Sequence, residues 1–591
     1  METVANVLMP FRQSSLMAQK LRNARWHLRE AWVSIQVEYQ GSYSAERLRQ
    51  LGCYMDGLNT RRILLVCALT PLPCLVLSLL KETPPLSPAE AGVYKNGVFF
   101  VRSWVIMCFM GASALVQMGH GAPRLKLTKF QIVWVSLLAA TVSILFIFGL
   151  CVLTVFPLPF GLLIAGPPFV IVIAACFTYI SGHLWRTDPS ILVDVKRQLV
   201  VYNCQTTLPF VYPLYILGFV SLTGVNQVVF VAVLPIIQIV AKNWISRALA
   251  DDHDQKPQCV IFVVEVYNAL YVSNVLQTAT SWASTATIMA VDLLQFWVSM
   301  IDMVKLLKEV NLLMRKIPPD HPCAKENFVQ VAVRLLNTEQ HQNTIGSTAG
   351  TMYTEKKMSM DVAGSKNERS TSAATLESYR TCQDGRRKER WMILQKARVV
   401  PCSPPTQHSR HQNKQHLGPI VPVAAEGPQI PTKYDLSGGL EQIFSRKERA
   451  RFVRRSAHLL FIIEYLVLVE YVEVVLPFVY CLHQFILFHM PNSAHYPALA
   501  GLSREEFTAK MLSTLLYSFF ELGSFVMMVI VLKRRLGYSG LQQLAFVLDV
   551  YASVVQTKLN LIFVYIMQVS LDHHGADFTF KFAWLNSKRK F

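Results

Sequence analysis

Charge is scarce in this chain: Asp, Glu, Lys and Arg make up 16% of it, against about 25% in soluble domains. Other absences exclude whole classes of chemistry. No two of the twelve cysteines form a C-x-x-C pair, and Cys67, Cys74, Cys108, Cys151, Cys176 and Cys481 lie inside apolar runs. A thiol there behaves as a small hydrophobe, so neither a disulfide framework nor a zinc site is indicated. No N-x-S/T sequon occurs. There is no Walker loop, no G-x-G-x-x-G before a strand, no H-E-x-x-H and no G-x-S-x-G, so no cofactor is implied and an enzyme is not expected. The first thirty residues contain no signal-type apolar core. The first apolar segment is therefore expected to act as an uncleaved signal anchor.

What is present is apolar. Hydrophobic residues make 52% of the 591, and the mean hydropathy is +0.32. They gather into long runs: Ile63–Leu80, Val98–Met118, Gln131–Val155, Pro159–Ile180, Leu208–Thr223, Val225–Ala241, Val260–Thr278, Ser284–Met300, His458–Leu482, Met511–Leu532 and Leu544–Leu571. By length and hydropathy these are about ten or eleven membrane spans. Backbone groups in lipid must bond within the segment, so the spans are helices. Outer-membrane barrel strands would be alternating segments of about ten residues, which these are not. The fold class expected is therefore all-α, a polytopic helical membrane protein whose first partner is the lipid bilayer. Thr223-Gly224-Val225-Asn226 in the middle of Leu208–Ala241 predicts a tight helical hairpin. His458–Met490, with Pro477 inside, predicts one kinked span continuing along the interface.

Positive charge sets the expected topology. The formal charge is +19, and the stretch from Asp302 to Arg455 holds 26 basic and 15 acidic residues, so more than half of the surplus sits in one polar region. Arg61-Arg62, Arg124/Lys126/Lys129, Arg186/Lys196/Arg197, Lys242/Arg247/Lys256, Lys305/Lys308/Arg315/Lys316, Arg451/Arg454/Arg455 and Lys533-Arg534-Arg535 fall on alternate sides of successive spans. That pattern predicts a cytoplasmic N-terminus. Lys588-Arg589-Lys590 conflicts with it if the last run crosses fully. The basic surplus reads as cytoplasmic loops, and no nucleic-acid motif accompanies it. Four regions follow. Residues 1–60 form a cytoplasmic segment whose Trp26 and Trp32 suggest an interfacial helix, with Ser44 placed to cap a second one. Residues 61–317 form a first membrane block. Residues 318–445 read as a disordered, basic cytoplasmic linker, and residues 446–591 form a second block. Within the linker, His408, His411 and His416 read as solvated rather than metal-binding, and Arg386–Arg390 as a solvated run.

Ionisable groups inside spans are costly and mark functional sites or buried pairs. They are Arg102, Glu265, Asp292, Glu464, Glu470, Glu473, Glu521, Asp549 and Lys558. Glu265 has Asn268 about one turn on, and Asp292 lies in the return span, so an antiparallel hairpin would join them in one polar strip. Glu470 and Glu473 share a helix face at i, i+3, while Glu464 points elsewhere. The candidate site is thus Glu265, Asn268, Asp292, Glu470 and Glu473, with Arg102 and Lys558 as pairing partners.

Several strings carry a resemblance: Tyr43-Ser44-Ala45-Glu46-Arg47-Leu48, Leu69-Thr70-Pro71-Leu72-Pro73, Ala241-Lys242-Asn243-Trp244-Ile245-Ser246, Val264 to Val272, and His574 to Trp584. The chain resembles a family of uncharacterised multipass membrane proteins of oomycetes. That resemblance covers both membrane blocks and implies the membrane class, with no activity and no site residues. The function expected is transport or channel activity for a small solute or ion. The alternative is a receptor or scaffold that recruits cytoplasmic protein partners through the linker, in the plasma membrane or an endomembrane. The membrane reading makes a direct prediction. The protein stays in the pellet after alkaline carbonate extraction and needs detergent to remain monodisperse; release by carbonate would refute it.

Overall fold

In the computed structural model of the protein, residues 33–55, 58–278, 282–338 and 438–575 are described, together with His27 and Glu30. The segment around Trp26 and Trp32, most of the linker, and Lys588–Lys590 lie outside them. Among the described residues every regular element is helical. The chain divides into two compact units, one of residues 1–47, 59–312 and 454–591, the other of residues 48–58 and 313–453.

Among the described residues eight helical stretches are long and apolar enough to cross a membrane: Thr60–Leu80, Gly97–Gly121, Lys129–Leu153, Gly161–Thr187, Val225–Ala248, Lys256–Gln277, Arg504–Arg535 and Ala552–Val569. Each overlaps one of the eleven apolar runs. The other three runs lie in longer, more polar helices, Pro189–Ser221, Trp282–Met314 and Arg446–Phe488. This is an integral multipass membrane protein. Large apolar side chains stand on its outer surface, among them Leu145, Val170 and Ile171, each 60% exposed or more. In water such a belt would drive aggregation; against lipid it costs nothing.

The helices in chain order are α1 (Ala45–Met55), α2 (Thr60–Leu69), α3 (Leu72–Leu80), α4 (Gly97–Gly121), α5 (Lys129–Leu153), α6 (Gly161–Thr187), α7 (Pro189–Ser221), α8 (Val225–Phe230), α9 (Val233–Ala248), α10 (Lys256–Val260) and α11 (Val266–Thr278). Then follow α12 (Trp282–Met314), α13 (residues 328–338), α14 (Gly438–Ile443), α15 (Arg446–Phe488), α16 (Arg504–Leu536), α17 (Gly540–Val550) and α18 (Ala552–Val569). Local sequence explains their ends. Ser44 Oγ accepts the Arg47 amide and caps α1, as its position suggested. Thr128 with Gln131, and Ser503 with Glu506, form reciprocal capping boxes on α5 and α16, each satisfying donors that the first turn leaves free. The hairpin expected at Thr223–Asn226 is present, with Gly224 at φ +62°, a conformation that glycine takes without Cβ strain.

Prolines break the spans, and polar side chains repair the breaks. Pro71 has no N–H to donate to the Cys67 carbonyl, four residues back, and α2 ends there. Tyr471 of α15 donates its hydroxyl to that carbonyl at 2.7 Å. Gln556 of α18 donates to the neighbouring Thr70 carbonyl at 2.7 Å. Pro235 likewise cannot bond the Val231 carbonyl, which accepts the Leu234 amide instead, and a tight turn at Val231 and Ala232 separates α8 from α9. In contrast, α15 continues through Pro477 to Phe488.

Two expectations are corrected. The run Leu544–Leu571 is two helices: α17, with Leu544 to Leu548 fully buried, and α18. Tyr551 between them has φ −103° and ψ 22°, which ends α17. The linker does not begin at residue 318. Helix α13, capped by Asn327 Oδ1 on the Val329 and Gln330 amides, buries Phe328, Val329, Val331, Ala332 and Leu335. Within the second unit Arg49 donates to Asn337 at 3.0 Å, and Phe444 packs against Phe452. Lys588–Lys590, whose charge conflicts with a full last crossing, lie outside the described residues. After α18, His573 bonds the Ser87 carbonyl, and the Phe160 amide donates to Gly575. The last described helix therefore ends beside the turns after α3 and α5.

Tyr471→Phe leaves the half-buried Cys67 carbonyl without its donor. It is expected to lower stability by about 1–2 kcal/mol, read as a reduced melting temperature in detergent; an unchanged value removes this account of the Pro71 break.

Candidate functional site

The span Lys256–Gln277 is almost wholly enclosed by protein. It is α10, a single π-helical turn over Ile261–Glu265, and α11. Such turns admit one extra residue and occur often at functional sites. The π turn ends on Glu265, which is 1% exposed and forms an ion pair with Lys242 of α9. Lys242 follows Leu234, Gln238 and Ala241 on the buried face of α9. The sequence pattern had placed it with the loop cations because it stands just after an apolar run. Asn268, 1% exposed, lies on the next turn, its side-chain oxygen without a hydrogen-bond partner among the described residues.

Asp292 of α12 is half-buried and accepts the Tyr517 hydroxyl of α16 at 3.1 Å. Glu265 and Lys242 both lie within its electrostatic reach, so the hairpin brings the two carboxylates near each other without joining them directly.

The densest group lies between α15 and α16. Glu470, Glu473 and Glu521 each present a carboxylate oxygen within 4.8 Å of the others, and all three are buried. Their positions follow from helical spacing. Glu470 and Glu473 are three apart on α15, while Tyr517, Glu521 and Ser524 follow at i, i+4 and i+7 on α16. The Ser524 hydroxyl lies 2.6 Å from a Glu470 oxygen and 2.7 Å from the Glu521 carbonyl. Among the described residues no Lys or Arg forms an ion pair with these three glutamates. If ionised at 4.8 Å, each pair repels by about 3 kcal/mol at an effective dielectric near 20. Protons or a bound cation must compensate that charge, and carboxylate oxygens suit hard cations. Glu521 stands on a helix remote in sequence from Glu470 and Glu473, so only the packing joins it to them.

The other ionisable groups have different partners. Glu464 does point away from the cluster and pairs with Arg47 at 2.6 Å, both 1% exposed. Arg102 does not serve the candidate carboxylates. It donates to Glu82 at 2.5 Å and to Tyr496 and Gln568 at 3.0 Å. Glu82, two residues beyond α3 and wholly buried, had passed unnoticed because it follows the apolar run. Lys558 Nζ, buried on α18, has no hydrogen-bond partner among the described residues. Beside Arg102 a cavity of about 30 Å³ has Phe99, Phe100, Ser103, Gln568, His573 and His574 in its wall. Burial pushes His573 down to about 4 and His574 down to about 3, with Arg102 adding to both shifts; both rings are neutral near pH 7. No family model, curated protein or solved structure matches this chain.

Lys242→Met leaves Glu265 buried without its counter-charge, a loss of about 3–5 kcal/mol. The melting temperature in detergent should fall sharply for K242M and recover in K242M/E265Q. A wild-type value for K242M would show that the pair is not what holds α9 against the π turn.

Proposed function

We propose that the protein carries a small solute or ion across its membrane, coupled to protons or cations exchanged at Glu470, Glu473 and Glu521. One observation carries this reading: three buried carboxylates converge within 4.8 Å without a basic partner among the described residues. A purely structural contact would pair acid with base, as Arg47–Glu464 and Arg102–Glu82 do. A cluster left for mobile charge to neutralise is the arrangement that ion coupling requires. Asp292 and Glu265 extend the acidic groups from α15 and α16 toward the π turn, since both act electrostatically on Glu473. The basic loops support a cytoplasmic N-terminus.

The test is flux in proteoliposomes holding the full chain. Wild type should move protons, sodium or potassium down an imposed gradient faster than empty liposomes. Glu473→Gln and Glu521→Gln should each reduce that flux about tenfold or more without loss of folded protein. Absence of flux under all three gradients would overturn transport and favour the receptor or scaffold reading.

A further inference from the structure

The basic residues at one end of α12 and α16 are arranged more specifically than topology alone demands. The outer face of α12 runs Leu294, Trp297, Ile301, Lys305 and Lys308 in steps of three and four. Leu294 is 65% exposed, Trp297 49% and Ile301 51%, and the two lysines are exposed as well. One helical stripe therefore changes from apolar to basic between Ile301 and Lys305. Helix α16 shows the same change. Leu516, Phe519, Val526 and Ile530 are 45–57% exposed, and Lys533, Arg534 and Arg535 follow, all exposed.

The two ends are held together. Asn311 Nδ2 donates to the Arg535 carbonyl at 3.3 Å. Arg455 of α15 pairs with Glu309 at 3.2 Å, which offsets the acid that would otherwise weaken the patch. On each helix the apolar side chains face the hydrocarbon, so the cations that continue the same stripe sit at the level of the headgroups. Arginine forks match phosphate oxygens in pairs, and lysine adds point charge.

We propose that the basic ends of α12 and α16 form a binding site for the headgroup of an anionic phospholipid, retained as a resident lipid. The site is independent of the carboxylate cluster. Each cation near an anionic headgroup contributes about fivefold in affinity. The probe is phosphatidylserine against phosphatidylcholine, presented in equal amounts to delipidated full-length protein in mixed micelles, with bound lipid counted by native mass spectrometry. Wild type should retain phosphatidylserine at least about tenfold over phosphatidylcholine. K305Q/K308Q and K533Q/R534Q/R535Q should lose that preference, while K126Q/K129Q, at exposed lysines elsewhere, should keep it. Should either patch variant fail to fold, wild type alone decides: its preference must fall steeply between about 0.05 and 0.5 M salt. Equal retention of both lipids by wild type, a preference indifferent to salt, or equal loss in K126Q/K129Q overturns the proposal.

Discussion

A guanidinium buried in a hydrocarbon-bounded protein must find its counter-charge, and the Arg47–Glu464 pair meets that demand at the point where the N-terminal segment joins the helices. Arg47 reaches Glu464 at 2.6 Å and the Asp254 carbonyl at 2.6 Å. The rings of Tyr43 and Tyr551 lie 5.0 and 4.7 Å from its guanidinium carbon. Tyr43 itself bonds Glu464 and accepts from Gln543, and Gln543 also donates to the Leu460 carbonyl. One cation thus ties the residues before the first span to α15, α17 and the turn ahead of α10. Burying such a pair gains little over an apolar contact, but it fixes register, because no shifted packing would leave both charges satisfied.

The same constraint governs uncharged groups. Pro71 frees a carbonyl inside a span, and lipid offers no donor. Tyr471 and Gln556 at the Pro71 break show the solution, a polar side chain from a neighbouring helix aimed at the vacated carbonyl. Tyr471 and Gln556 close hydrogen bonds that the backbone left open; Glu470, Glu473 and Glu521 instead face one another.

How far the sequence could be read depended on range. Apolar runs showed the spans because lipid imposes length and composition on each helix separately, and the Ser44 cap and Gly224 turn showed because they are local. The i, i+3 relation of Glu470 and Glu473, and the divergence of Glu464, followed from helical geometry alone. Pairings between helices did not follow. Lys242 and Glu82 stand just past the ends of apolar runs, where cations and anions normally meet water, so nothing in the sequence marked them as buried partners of Glu265 and Arg102. The helix over residues 328–338 was missed for a different reason: its apolar face is one short stripe, easily lost in polar surroundings.

The enclosure of Lys256–Gln277 bears on how the protein is made. A helix entering the bilayer first meets lipid on all sides, yet this one ends with scarcely any lipid contact. Its neighbours come from both ends of the chain, α7 and α9 before it, α16 and α18 after. Until α16 and α18 are synthesised, Glu265 and Asn268 can be sheltered only by helices already inserted. The order of synthesis therefore puts the shell after the centre, and a ribosome stalled before residue 504 would leave this helix waiting in the membrane half-wrapped.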